Sequence, residues 1–141
     1  MRFPNLLPLL ACALTFATTP AFAAPLLQPG QWHETAHMST GMTDQIEFCI
    51  HQADPFAQFL HSQPGSTCRR TGMQQLGPRV IQLEEECVGT SSPMRVQMQI
   101  TLHTAPDGRS YQGTVHGTVH VAGETVPLQE TLKGNYQGAC H

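Results

Sequence analysis

Short runs of alternating apolar and polar residues fill most of the chain. In the clearest run, from Met94 to His103, the two classes alternate at every position. Successive side chains of a β-strand point to opposite faces of a sheet, so this pattern is typical of a strand with one buried face. About seven such runs are present, over residues 31–38, 45–50, 68–76, 81–87, 94–103, 111–121 and 126–136.

Turn residues separate these runs. Asp107-Gly108 is the strongest short hairpin signal, and Gly77-Pro78 and Ala122-Gly123 mark two further turns. Strands at such short spacing, each with one apolar face, predict a mainly β fold in which consecutive strands pair as an antiparallel meander.

Residues 53–60 follow a different pattern. Asp54 is a suitable N-cap, Pro55 fits the first helical position, and Phe56, Phe59 and Leu60 share the i, i+3, i+4 spacing of one helical face. We therefore expect one short helix in an otherwise β domain.

Two glycines interrupt the apolar face of the sixth run. Gly113 and Gly117 take positions at which a strand usually carries a core side chain, and such glycines often mark strong curvature or a close neighbour. They favour a strongly curved or barrel-like sheet around a narrow core that contains Trp32 as its large anchor.

The first 23 residues have the features of a secretory signal peptide. Arg2 precedes an apolar stretch over residues 6–16, and Ala21-Phe22-Ala23 is a small-x-small cleavage site. The apolar stretch is shorter than the roughly 20 residues that span a bilayer. An uncleaved anchor and a lipoprotein acylated at Cys12 are the weaker alternatives. Residues 24–141 then form a single β domain with no integral membrane segment.

Charge narrows the range of partners. Without Arg2, six Lys and Arg face ten Asp and Glu, and the basic residues are scattered apart from Arg69-Arg70. Nucleic acids and anionic lipids bind basic patches, so neither is an expected partner.

Four cysteines remain after signal cleavage, which predicts two disulfides in an exported domain of this size. Cys68 and Cys87 both lie at the open end of one predicted hairpin, and this position favours their pairing. Cys49 and Cys140 would form the second bond if the helix after Cys49 crosses the domain and the sheet curls. The wide spacing of the cysteines argues against a zinc site.

Several short motifs occur in a recognisable order. Pro29-Gly30-Gln31-Trp32 opens the domain, Gly41-Met42 follows in a turn, and the Cys68–Cys87 hairpin precedes a Gly138-x-Cys140 ending. This order resembles a family of small exported bacterial proteins known as domain of unknown function 3617. The resemblance covers the whole predicted mature chain. It implies a periplasmic location in a Gram-negative bacterium, and it brings no known activity and no catalytic residues.

Eight histidines are the one compositional oddity. Residues four apart on a strand share a face but lie about 13 Å apart, so one such pair cannot chelate an ion alone. A candidate metal site therefore needs neighbouring strands, for example His103 beside His116 or His120. The simpler interpretation is that these histidines lie on a solvated outer face of the sheet. Met94 and Met98 could suggest copper ligation, but the simpler interpretation is that they fill gaps in the core.

The run Glu84-Glu85-Glu86 is typical of a solvated sheet edge, although alternation points Glu85 inward unless the strand ends or bulges there. Glu34 and Glu130 fall on predicted apolar faces. A buried carboxylate needs a partner or a shifted pKa, and Arg70, Arg109 and Lys133 are candidate partners. An enzyme that uses Glu34 and Glu130 is the weakest hypothesis, because the sequence contains no nucleophile elbow and no phosphate-binding loop.

These observations favour a non-catalytic periplasmic module that binds a small apolar ligand or a protein partner and needs no cofactor. The alternative is a periplasmic zinc- or copper-binding protein that uses surface His and Met.

We expect the exported protein to begin at Ala24, because a signal peptidase reads the small residues Ala21 and Ala23. N-terminal sequencing of periplasmic material tests this expectation. Recovery of Met1 or of a lipid-modified Cys12 would contradict it.

Overall fold

The computed structural model describes residues 25–51, 55–57 and 65–141, and it confirms a mainly β chain of seven antiparallel strands. The strands are β1 (Gly30–Met38), β2 (Thr43–Ile50), β3 (Ser66–Gly77), β4 (Val80–Gly89), β5 (Arg95–Thr104), β6 (Ser110–Val121) and β7 (Glu124–Gly138). The described residues contain no helix long and apolar enough to cross a membrane.

Two predicted segments fall wholly or largely outside the described residues. One is the signal peptide over residues 1–23. The other is the helix over residues 53–60, of which only residues 55–57 are described. These three residues are not α-helical, so the described part of the chain gives the predicted helix no support.

The strands form one sheet in the order β2-β1-β7-β6-β5-β4-β3. From β3 to β7 the sheet is the meander that the sequence predicts. The expectation of a simple meander is wrong at the first two strands, because β1 pairs with β7, the last strand of the chain, and β2 lies outside β1. The hairpin of β1 and β2 therefore extends the sheet on the far side of the meander.

The expectation of a strongly curved or barrel-like sheet is wrong, because β2 and β3 are the two edges of an open sheet that is not strongly curled. Six antiparallel steps separate these edge strands, so they run in the same direction and cannot be joined by a hairpin. Of the residues described between β2 and β3, Phe56 is buried and belongs to the core.

The glycines of β6 are explained by close packing rather than by closure into a barrel. A Cβ atom at Gly117 would lie 2.1 Å from the carbonyl oxygen of Gln97, and one at Gly113 would lie 2.7 Å from the Leu102 side chain. Both neighbours belong to the adjacent strand β5. The two glycines on the apolar face of β6 therefore do mark a structural constraint, and that constraint is the close approach of β5.

The core occupies one end of the sheet face that carries Trp32, which we call the inner face. Trp32 is completely buried, and its ring lies 5.5 Å from that of Tyr111 and 6.0 Å from that of Tyr136, measured between centroids. We call this region the packed end. Its buried apolar residues are Leu27, Trp32, Ile50, Phe56, Ile81, Leu83, Ile100, Leu102, Tyr111, Val115 and Leu132.

The residues before β1 close the packed end. The Trp32 indole nitrogen Nε1 donates to the carbonyl of Gln28 at 2.9 Å, and the Gln28 amide donates to the carbonyl of Gly108 at 2.8 Å. The Arg79 guanidinium donates to the carbonyl of Pro25 at 3.0 Å. These contacts, with the β5–β6 turn and with Arg79, hold Leu27 in the core.

Gly30 is required at the start of β1. Its φ of +141° is one that other residues rarely adopt, and a Cβ atom there would lie 2.3 Å from the carbonyl oxygen of Gly138. The Pro29-Gly30-x-Trp32 motif thus brings β1 against β7 without a clash, two residues before the tryptophan enters the core.

Each edge strand is anchored by a disulfide. Cys68 of β3 lies directly opposite Cys87 of β4, and their Cα atoms are 4.0 Å apart. Cys49 of β2 bonds Cys140 at a Cα separation of 5.8 Å. These are the two pairings that strand direction favours. The second needs no curling of the sheet, because only β1 separates β2 from β7, and Gln31 is the register partner of both Cys49 and Gly138.

Replacing Trp32 with Ala should destabilise the domain by about 3–5 kcal/mol, the usual cost of removing a fully buried large aromatic. Urea unfolding followed by circular dichroism measures this loss. Val126→Ala is the control, because Val126 is 48 % exposed and should change the free energy of unfolding by less than about 0.5 kcal/mol. Equal unfolding midpoints for the two variants would refute a core role for Trp32.

Candidate functional site

A cavity of about 300 Å³ lies on the inner face, beyond the packed end. Strands β1, β5, β6 and β7 supply most of its walls, and the edge strands reach its rim. Its lining residues are Glu34, Ala36, Met38, Asp44, Ile46, Ser66, Cys87, Met94, Val96, Met98, Ile100, Val115, Val119, Leu128, Glu130 and Leu132. We call this end of the sheet the cavity end.

The cavity exists because the inner face carries smaller side chains here than at the packed end. In one register row Gly117 lies between Met98 and Leu128, so that the middle of the floor has no side chain. In the next row Val96 pairs with Val119. None of the described residues that line this region is aromatic, whereas the rings of Trp32, Tyr111, Tyr136 and Phe56 lie at the packed end.

Three carboxylates interrupt the apolar lining. Asp44 is exposed on the edge strand β2, Glu130 is half-buried on β7 opposite Met38, and Glu34 is buried where the cavity meets the packed end. Among the described residues that line the cavity, none is Lys or Arg. The cavity therefore combines apolar walls with negative charge.

Glu34 is bound by Tyr111, a partner that the sequence reasoning missed in favour of Arg70, Arg109 and Lys133. The Tyr111 hydroxyl donates a hydrogen bond to Oε2 of Glu34. Burial, together with the charge of Glu34, raises the pKa of Tyr111 far above its usual range, so that Tyr111 keeps its proton.

Tyr111 reaches Glu34 across a glycine. A Cβ atom at Gly134, which lies between them in the register, would be 2.1 Å from the tyrosine ring. The available sequence signal was Gly134 itself. This glycine of β7 has an aromatic residue as its register partner in β6 and a buried carboxylate as its register partner in β1. Reading it required the β1–β7 pairing, which the meander hypothesis did not contain.

Glu34 and Glu130 both line the cavity, but their backbone positions are well separated. Glu34 pairs with Gly134, which is four residues along β7 from Glu130, a distance of about 13 Å at the usual rise of a strand.

Glu85 points inward beside the cavity, as the alternation of β4 indicates. It is 2 % exposed and pairs with Met98 on β5 and with Arg70 on β3. Neither of its carboxylate oxygens has a hydrogen-bond partner within the described part of the chain. Burial raises the pKa of Glu85 to about 7, although the nearby Arg70 charge partly offsets this effect.

The three candidate metal residues are not brought together. His103 of β5 lies opposite Gln112, whereas His116 lies opposite Gln99, four residues from His103 along the same strand. His120 hydrogen-bonds the hydroxyl of Thr125 at 3.0 Å. Across the described residues, no three His, Cys, Asp or Glu side chains form a group that could hold a metal ion.

Comparison with known proteins relates the chain to a family. Residues 27–140 fit the model of a family described as protein of unknown function, DUF3617. No curated protein and no solved structure is similar enough to match.

Glu85 should make stability depend on pH. A carboxyl whose pKa rises on folding favours the folded state when it is protonated. Its contribution to the free energy of unfolding is therefore complete below pH 4.5 and is lost as the pH rises through about 7. Gln at position 85 stays neutral at every pH. Relative to Glu85→Gln, the natural protein should therefore lose about 2–3 kcal/mol of its free energy of unfolding between pH 4.5 and pH 8, since one pKa unit corresponds to about 1.4 kcal/mol.

Urea unfolding at a series of pH values measures this difference. Glu84→Gln is the matched control, because it makes the same substitution at the neighbouring, exposed position. Parallel profiles for the natural protein and Glu85→Gln would contradict the prediction.

Proposed function

The chain belongs to the DUF3617 family, and because this membership assigns no activity, we propose a function from the cavity: the domain binds a small apolar molecule and does not transform it. The observation that carries the proposal is a cavity bordered by one face of a stable sheet. Its volume of about 300 Å³ lies at the lower end of the range for small-molecule sites, roughly 300–1,000 Å³.

The lining supports an apolar ligand. Met38, Met94 and Met98 offer flexible, polarisable surfaces that adapt to different shapes, and the valines of β5 and β6 form a rigid floor between them. The packed end keeps this floor in place, because the same strands continue into the core around Trp32.

A non-catalytic role is the second part of the proposal. Glu34 is engaged by Tyr111, and its backbone position lies about 13 Å along the register from that of Glu130. The zinc or copper alternative has less support. The candidate histidines are spread along the outer face. Met94 precedes β5 and Met98 lies within it, so the two methionines do not form a compact cluster along the chain.

We further propose that the protein acts in the periplasm. The two disulfides are compatible with an exported protein, since such bonds persist in oxidising compartments. The signal peptide expected over residues 1–23 supports the same location.

Titration of the mature protein with 1-N-phenylnaphthylamine, a neutral probe that fluoresces in apolar surroundings, tests the binding proposal. We expect saturable binding that falls at least tenfold in Val96→Trp, because the larger ring fills the cavity. Gln97→Trp is the matched control, since the next residue of β5 is exposed on the opposite face. Circular dichroism checks that both variants fold. Absence of probe binding, or equal binding by both variants, would refute the proposal.

A further inference from the structure

We propose that the edge strand β3 pairs with the same strand of a second copy of the chain, in an antiparallel dimer. The contact is made by residues 72–75, which we call the β3 edge segment. This surface lies outside the cavity, so the inference does not depend on the proposed function. It is carried by the absence of charge in the segment and by the fit of the segment to itself across a two-fold axis.

The two edges of the sheet differ in charge. An exposed edge presents backbone donors and acceptors to any other strand, and charged side chains are a common protection against such pairing. The edge strand β2 carries Asp44 and Glu47, and both are exposed. The β3 edge segment carries no charged residue, and Met73 within it is 57 % exposed. Register shifts against β4 flank the segment, and between them it is a regular strand. Of the two edges, β3 is therefore the one open to pairing.

A second copy fits the inner face of the segment. When a two-fold axis runs perpendicular to the sheet beside Met73, the two copies of Met73 lie opposite each other and both inner faces point to the same side. Met73 is the register partner of Leu83, which is completely buried in the core. The paired methionines would therefore extend the apolar layer of the inner face across the edge, and flexible thioether side chains adapt readily to such a contact.

The outer face of the segment also matches itself. The same axis sets Gln74 of the second copy opposite Gly72, and the carboxylate of Glu84 lies over this glycine, since a Cβ atom there would be 2.9 Å from Oε2 of Glu84. Within its own copy the Gln74 amide donates one hydrogen to Gln82 at 2.6 Å, and an amide nitrogen has a second hydrogen to donate. That hydrogen is directed to Glu84 across the interface, and the two-fold axis supplies the contact twice. A pattern that matches itself on both faces favours a second copy over an unrelated strand.

Sedimentation velocity over a range of protein concentrations tests the inference. We expect a dimer that forms as the concentration rises. Met73→Lys should weaken dimerisation at least tenfold, because it places two like charges directly opposite each other on neighbouring strands. Met42→Lys is the matched control, since Met42 is 64 % exposed between β1 and β2, and it should dimerise like the natural protein. A natural protein that stays monomeric at every concentration, or equal dimerisation of the two variants, would overturn the inference.

Cross-linking locates the contact. Directly opposite residues of antiparallel strands have Cα atoms about 4.5–5.5 Å apart, a separation that a disulfide spans. Met73→Cys should therefore give a covalent dimer on mild oxidation, whereas Met42→Cys should remain monomeric on a non-reducing gel. Circular dichroism checks that both variants fold. If both fold and cross-link to the same extent, Met73 does not face its own copy and the inference is wrong.

Discussion

β1 pairs with β7 from Gln31 opposite Gly138 to Met38 opposite Glu130, and the rest of the inner face is arranged around this contact. It places Trp32 beside Tyr136 in the core. Further along, it brings Glu34 within reach of Tyr111 over Gly134, and at its far end it sets Met38 beside Glu130 in the cavity wall. Core, buried acid and cavity are successive sections of one strand pair.

Local features of this fold could be predicted from the sequence, because strand alternation and turn residues act over only a few positions. The meander from β3 to β7 and the inward position of Glu85 follow from such signals. The pairing of β1 with β7 could not be predicted in the same way. It joins residues about a hundred positions apart, and no local pattern distinguishes it from a pairing of β2 with β3.

In the candidate site, too, the features set by local patterns could be predicted and those set by contacts between distant strands could not. Alternation assigns Glu34, Glu130, Met94 and Met98 to an apolar face, but it does not tell whether that face is filled or hollow. That difference depends on side-chain volumes summed across neighbouring strands, as in the row where Gly117 separates Met98 from Leu128. Tyr111 was missed as the partner of Glu34 because it comes from β6, two strands away across β7.

The two disulfides report different stages of assembly. Cys68 and Cys87 are 19 residues apart and need only one hairpin, whereas Cys49 and Cys140 are 91 residues apart and need β7 to be seated between β6 and β1. Because β1 is synthesised first and its partner β7 last, the pairing of these two strands must wait for the end of the chain. Formation of the Cys49–Cys140 bond is thus a covalent record that the two ends of the domain have come together around β1.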